Sequence, residues 1–209
     1  MMIGTIYLVC ASVLWGAAHS LLASHTVKGA LRRAAGPPAF DRLYRFSYNF
    51  FALASLFPVA LMLYTFPDRP LYSIPSPWVY LTVIIQGLAA MLLIAAVMQT
   101  GPSDLLGLTQ LTEIGESKPA VLVTDGLYAI VRHPLYSGSL VFIWLIPSMT
   151  INRLALFAVL TLYTLIGAWF EERKLLKDFG AAYAEYKARV PMLIPKIVNR
   201  KSKIVNPKS

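Results

Sequence analysis

Apolar residues run along this chain in long unbroken stretches, and the few charged residues fall between them. The first formal charge is Lys28, none lies between Arg45 and Asp68, and none between Arg69 and Asp104. Each gap supplies the roughly 20 apolar residues that a membrane-spanning helix needs, which predicts spans near residues 3–24, 47–66 and 77–99. Two shorter runs follow, near 136–150 and 153–170, joined at Asn152-Arg153. As helices they would be roughly 22 and 27 Å long, against a hydrocarbon core of about 30 Å. Pro147 is placed to kink the first of the two. The expected architecture is an all-α integral membrane bundle with about five transmembrane helices, a C-terminal helical hairpin and a cytoplasmic tail helix. It forms one membrane domain over 1–209, with a three-helix part (1–99) and a second part (100–209).

A hairpin turning near Ile151 has a chemical consequence. Arg132 and His133 lie about as far before the turn as Glu171 and Glu172 lie after it, so both polar pairs reach the same membrane face. Ionisable groups beside hydrocarbon are costly and point to function. The stretch 100–135 is too long for a simple connector; it carries Asp104, Gly107, Gln110, Glu113, Gly115, Glu116 and Asp125 before Gly126-Leu127-Tyr128.

Composition agrees with the pattern: 57% of the 209 residues are hydrophobic and 14% charged, which puts the chain among membrane proteins. Lys28, Arg32, Arg33, Arg42 and Arg45 follow the first run with only Asp41 against them, and beyond Trp169 ten Lys or Arg stand against four acids. By the positive-inside rule these two regions are cytoplasmic and the N-terminus is outside, in a bacterial inner membrane. The first run lacks a basic n-region and reads as a retained span. The net charge of +9 then reports topology and contact with anionic membrane lipids rather than nucleic acid. Cys10 is the only cysteine, so there is no internal disulfide and no cysteine-based metal site; a buried structural thiol is expected. No metal site is expected elsewhere.

The C-terminal motifs carry a resemblance. Gly126-Leu127-Tyr128, then Arg132-His133-Pro134-x-Tyr136-x-Gly138, Glu171-Glu172-x-x-Leu175, Phe179-Gly180-x-x-Tyr183-x-x-Tyr186 and Val190-Pro191 through Pro195 resemble the isoprenylcysteine carboxyl methyltransferase-like superfamily, which includes phospholipid and thiol methyltransferases. In the N-terminal half, His19-Ser20-Leu21-Leu22-Ala23-Ser24, Tyr44-Arg45 with Tyr48-Asn49, and Asp104-Leu105-x-Gly107-Leu108-x-Gln110 are similar to the bacterial methanethiol S-methyltransferase branch and, more distantly, to NnrU proteins. The resemblance implies S-adenosylmethionine as methyl donor at the cytoplasmic end of the last helices and a small or lipophilic acceptor, a thiol before a lipid amine or an isoprenylcysteine carboxylate. It implies Arg132 and Glu172 as catalytic residues and Tyr128, His133, Pro134, Tyr136, Gly138, Glu171 and Glu172 as donor-binding residues. In the eukaryotic isoprenylcysteine enzymes an arginine usually stands one turn before the paired glutamates; here that position is Gly167.

Methyl transfer from a sulfonium asks a site to align reactants and exclude water. His133 or Arg132 suits the donor's carboxylate, Glu171 and Glu172 its ammonium, ribose hydroxyls or sulfonium, and Tyr128 and Tyr136 its adenine or sulfonium. Gly138 would let the donor approach a helix backbone. Other readings stand beside these. Paired glutamates before Arg173 and Lys174 are often a solvated helix exit, Arg132 alone would anchor a helix to headgroups, and Phe179, Tyr183 and Tyr186 suit packing of the tail. His19, in an apolar run, suits a hydrogen-bonded structural role, with His25 interfacial. Together with His133 they leave open a haem-binding, NnrU-like protein with a histidine axial ligand. A non-catalytic scaffold would explain the helices but not the polar clusters. The sequence assigns neither the acceptor, nor a general base, nor the oligomeric state.

Overall fold

The computed structural model describes residues 2–112 and 121–196. Glu113, Gly115, Glu116 and the end of the basic tail therefore lie outside the described residues, as does the side chain of Asp104. The elements are helices α1 (Met2–Ala23), α2 (His25–Ala35), α3 (Pro37–Thr65), α4 (Trp78–Thr100), α5 (Pro102–Leu106), α6 (Leu108–Thr112), α7 (Pro134–Trp144) and α8 (Ile151–Arg189), with strands β1 (Pro70–Ser73) and β2 (Ser148–Thr150) and a 3-10 turn at Gly126–Ala129. Among the described residues four helices, α1, α3, α4 and α8, are long and apolar enough to cross a membrane. The chain is an all-α integral membrane bundle.

The expected count of about five spanning helices needs one correction. The fourth pass begins as α7, whose 11 residues make about 16 Å of helix. It ends at Trp144, three residues before Pro147, and not in a kink. The chain then continues extended, and β2 pairs antiparallel with β1. Ile74 N–H donates to the Pro147 carbonyl at 2.8 Å, so the backbone that leaves the helix is hydrogen-bonded to the β1 loop. Half helix and half strand together match the rise of α8 from Ile151 to Glu171.

This turn end holds the apolar core. Leu8 of α1, Val59 of α3, Met149 of β2, and Leu156 and Phe157 of α8 form one buried cluster. Asn152 beside it is fully buried; its Oδ1 accepts from the Thr5 hydroxyl at 2.7 Å and its backbone N–H donates to Asp68 at 3.0 Å. Thr150 caps α8 by accepting from the Arg153 N–H at 3.3 Å, the N-cap arrangement that satisfies an otherwise orphaned donor.

At the opposite end the polar segment 25–45 is helical. Ser24 caps α2, and α3 starts at Pro37, well before its apolar run, because proline suits the first helical turn. Arg32 bridges Asp41 at 2.8 Å on the surface. Cys10, expected to be buried, is exposed on α1: the helix turns that face away from its neighbours, where lipid rather than protein meets the thiol. Helix α8 breaks at Gly180 (φ 55°), a left-handed conformation that favours glycine. Beyond the break the tail returns to α8, burying Tyr183 and Tyr186, and the Tyr186 hydroxyl donates to the Tyr128 carbonyl at 2.7 Å.

Candidate functional site

Three segments meet where the hairpin opens: residues 132–137, the Glu171-Glu172 turn of α8, and the returning tail. The tail is stitched to the first segment by backbone. Arg132 N–H donates to the Pro191 carbonyl at 2.9 Å, His133 N–H to Met192 at 3.1 Å, and the Ser137 hydroxyl to Leu193 at 2.7 Å.

Within this frame Arg132 and Glu172 form a buried ion pair. Arg132 Nε donates to Glu172 Oε1 at 2.7 Å and Nη2 contacts the same carboxylate. Nη1 donates to the Lys187 carbonyl at 3.1 Å and to the Val190 carbonyl. Lys187 Nζ meets the other oxygen, Glu172 Oε2, at 2.7 Å. Side chains of Arg132 and Glu172 are 8% and 6% exposed, so both are committed to the protein. Removing one partner of such a pair leaves an uncompensated buried charge, at a cost of about 3–5 kcal/mol.

Glu171, next in sequence, is the open member, at 44% side-chain exposure. Tyr136 donates its hydroxyl to Glu171 Oε2 at 2.8 Å. His133 stacks on the Tyr136 ring (centroids 5.3 Å, interplanar angle 13°). Its Nδ1 lies 3.6 Å from Glu171 Oε2, and its Nε2 lies 3.5 Å from Glu172 Oε1, buried and without a hydrogen-bond partner among the described residues. His133 therefore sits between the closed pair and the open carboxylate. Burial, and then the negative Glu171, push the Tyr128 phenol above its ordinary range.

Cations from both halves of the chain gather near α8 just beyond Glu171. Lys28 of α2 lies over the Tyr44 ring at 5.7 Å. Burial, then Lys174 of α8 and Arg45 of α3, hold its ammonium below the usual lysine value. Lys28 is thus held beside two further positive groups.

Three donor-site expectations change. Gly138 gives no access to a ligand: an added Cβ would lie 2.9 Å from Leu92 and 3.0 Å from Leu93, so the missing side chain lets α7 pack on α4. Pro134 is fully buried as the first residue of α7, which sets the helix start and offers no ligand surface. Arg132, with its guanidinium saturated, is likewise not free to take a carboxylate. Gly167 does face open space: among the described residues no atom comes within 4 Å of where a Cβ would lie.

A second polar cluster lies deeper between α1, α3 and α8. His19 Nδ1 meets the Tyr163 hydroxyl at 2.7 Å, and Nε2 meets the Tyr48 hydroxyl at 2.8 Å. Trp15 stacks on the imidazole at 5.2 Å. Gly16 makes room for this, since a Cβ there would lie 2.9 Å from the Tyr163 ring. Tyr44 stacks on Tyr48, and Phe40 on Tyr44, giving a ladder of rings along one face of α3. With both nitrogens of His19 on phenols and His133 enclosed by Glu171, Glu172 and Tyr136, an axial-ligand role for either would require these contacts to be given up. Among the described residues no group of three or more His, Cys, Asp or Glu is arranged to hold a metal ion.

Sequence reasoning did not single out Lys187, Tyr163 or Gln99. Gln99 Nε2 donates to the Asp125 carbonyl at 2.8 Å and its Oε1 accepts from Leu127 N–H at 3.2 Å, which pins the turn leading to Arg132. Tyr163 was readable in principle, two turns before Glu171 and on the same face of α8. Nothing local in the sequence marks Lys187 as the partner of Glu172. A cleft of about 430 Å³ on α3, lined by Leu53, Ala54, Leu56, Phe57 and Ala60, is apolar and shares no residue with either cluster.

Comparison with known proteins fits the geometry. Methanethiol S-methyltransferase 1 of Bradyrhizobium diazoefficiens is 33% identical over 190 residues, covering 87% of this chain and 64% of that protein. Methanethiol S-methyltransferase of a Pseudomonas species is 37% identical over 133 residues, 61% of this chain and 50% of that protein. Protein-S-isoprenylcysteine O-methyltransferase B of Arabidopsis thaliana is 35% identical over 120 residues, 55% of this chain and 57% of that protein. The chain thus spans less than two thirds of the length of these curated relatives. No solved structure matches. These similarities fall in the isoprenylcysteine methyltransferase-like superfamily that the C-terminal motifs resemble, and the family described as NnrU protein matches residues 7–198; the chain belongs to that family.

Proposed function

We propose that this protein is an S-adenosylmethionine-dependent membrane methyltransferase whose acceptor is a small or lipophilic thiol. The observation that carries this reading is the contrast inside one corner: the exposed Glu171 carboxylate, with Tyr136 and the stacked His133 behind it, is braced by a saturated Arg132–Glu172–Lys187 cluster.

The donor set fits the amino-acid end of the donor. Glu171 suits its ammonium, and the three cations Lys28, Arg45 and Lys174 suit its carboxylate, which would relieve the repulsion on Lys28. Tyr136 and Tyr128 offer faces to a cationic or aromatic group. When bound, the donor supplies an electrophilic methyl group on a sulfonium. The chain's own part is to hold that group in line with the acceptor and keep water away. In this scheme Arg132 and Glu172 are positioning residues: they fix the backbone at His133 and the orientation of α8 at Glu171.

Gly167 favours a thiol over a carboxylate. It lies one turn toward the bilayer from Glu171 and leaves open space, whereas the isoprenylcysteine enzymes place an arginine at the matching position. Gly167→Arg should improve binding of a prenylcysteine carboxylate more than of a thiol. The positive-inside rule applied to the basic 25–45 region and tail supports a cytoplasmic donor corner and an N-terminus outside, in a bacterial inner membrane. In a Cys10→Ala background, a cysteine at Ser73 should react with an impermeant reagent on intact cells and one at Ser24 should not; the reverse pattern overturns the orientation.

The test of the reaction is purified protein given labelled donor with alkanethiols, prenylcysteines and aminolipids in turn. Labelled thioether is expected. Carboxyl methylation without thiol turnover overturns the acceptor and leaves the methyltransferase; no transfer to any acceptor overturns both.

A further inference from the structure

We infer that His19, acting through Tyr163, is the proton acceptor for the thiol, an inference that rests on the thiol methyltransferase reading above. In the donor corner only His133 Nε2 lacks a hydrogen-bond partner among the described residues, and it is buried against Glu172 rather than open to an acceptor. Arg132 and Glu172 are locked together, Glu171 is bonded to Tyr136, and His133 faces two carboxylates.

The His19 cluster lies on the path from that corner into the bilayer. Along α8, Gly167 is about 6 Å and Tyr163 about 12 Å from Glu171 at 1.5 Å per residue, all three on one face. Tyr136 carries this face across to α7: its hydroxyl bonds Glu171, and it lies within electrostatic range of both Tyr163 and Tyr48. A sulfonium held one turn from an ammonium on Glu171 lies beside the open space at Gly167. An acceptor sulfur approaching from the membrane side then meets the Tyr163 hydroxyl. His19, Tyr48 and Tyr163 are each only half-buried, so the cluster is not sealed against a small molecule.

The hydrogen bonds define a relay. The Tyr163 hydroxyl lies 2.7 Å from His19 Nδ1, and the Tyr48 hydroxyl lies 2.8 Å from Nε2 and 3.0 Å from Nδ1; the neighbours on α1 are uncharged: the stacked Trp15, and Ser20, whose hydroxyl lies 3.4 Å from that of Tyr163. The thiol S–H bond breaks as its proton passes to the Tyr163 oxygen, whose own proton passes to His19 Nδ1. The electron pair left on sulfur forms the new S–CH₃ bond as the methyl–sulfonium bond of the donor breaks. The donor leaves as a neutral thioether and His19 as imidazolium, which returns its proton to solvent between turnovers. Tyr48 holds the far nitrogen and with it the ring orientation.

A cysteine thiol has a pKa near 8.5 and a simple alkanethiol is less acidic still, so it needs help at neutral pH, whereas an acidic aryl thiol is already ionised. The variants are His19→Gln, which keeps hydrogen bonds to both phenols but takes no proton, and Tyr163→Phe, which keeps the ring. In full-length protein in lipid nanodiscs, each should lose about a hundredfold in turnover of an alkanethiol, as expected for lost general-base catalysis, and less than about threefold with an aryl thiol. Donor affinity by calorimetry should be unchanged. Equal losses with both thiols overturn the relay. If the natural protein turns over neither thiol, the underlying acceptor assignment fails with it, a result distinct from equal losses.

Discussion

Around Arg132 every strong donor meets a carboxylate or carbonyl inside the protein, and the cluster is closed. Around His19 three neutral groups bond one another and remain half-buried. The closed cluster contains the charges that sequence reasoning singles out, yet its saturation makes it a brace for the tail and for His133. The open cluster is built from an imidazole and two phenols and is only half-buried. Glu171 stands between them, adjacent in sequence to the locked Glu172 but exposed. If the relay holds, the conspicuous charge pair and the reactive group of this membrane protein do not coincide.

The sharpest way to break this comparison is to open the closed cluster. Glu172→Ala leaves Arg132 and Lys187 facing no carboxylate and should lower stability by about 3–5 kcal/mol, read as a large drop in melting temperature in detergent. A Glu172→Ala protein that melts normally would show the pair is not a brace. Next comes Glu171→Gln, which should melt within about 1 kcal/mol of the natural protein but bind donor about ten- to a hundredfold more weakly, the loss of one charge-assisted hydrogen bond. Lys28→Met should act in the same direction.

Smaller effects separate the two glycines. Gly138→Ala forces a Cβ against Leu92 and Leu93 and should destabilise by about 1 kcal/mol. Gly167→Ala meets nothing and should stabilise by about 0.5–1 kcal/mol through helix propensity. The same sign in both would contradict the packing described.

The smallest effect belongs to the turn end. Asp68 is exposed, and the slight burial it has works to raise its carboxyl. This is outweighed by hydrogen bonds from the Thr150 hydroxyl and the Asn152 and Arg69 N–H groups, and by Arg153, so its value lies below the ordinary one. A depressed folded value means the contribution is present above about pH 4 and lost as pH falls through the folded value. Asp68→Asn should remove that acid-side slope, seen as a melting temperature that changes less between pH 5 and pH 3, a small effect because solvent screens this exposed carboxylate.

Much of this was legible in the sequence because charge spacing and apolar length are local properties. The gaps between Lys28, Arg45, Asp68 and Asp104 gave α1, α3 and α4, and equal distances from Ile151 placed Arg132 and His133 beside Glu171 and Glu172. What stayed hidden depends on the third dimension. Pattern alone cannot show that the fourth pass trades helix for a strand paired to β1, since Pro70–Ser73 and Ser148–Thr150 are far apart in the chain. Nor does it show that Gly138 faces α4, that Cys10 faces outward, or that Lys187 returns across the Gly180 break to Glu172. Tyr163 has no motif of its own; only the packing of Gly16 against it brings His19 into contact.

The most direct single measurement is the product formed from labelled S-adenosylmethionine and a simple alkanethiol by the purified full-length protein in nanodiscs, followed by mass spectrometry. The account predicts stoichiometric labelled methyl thioether, with methylation of a prenylcysteine carboxylate slower under the same conditions. Formation of the methyl ester with no thioether, or neither product from protein shown by calorimetry to bind the donor, would contradict it.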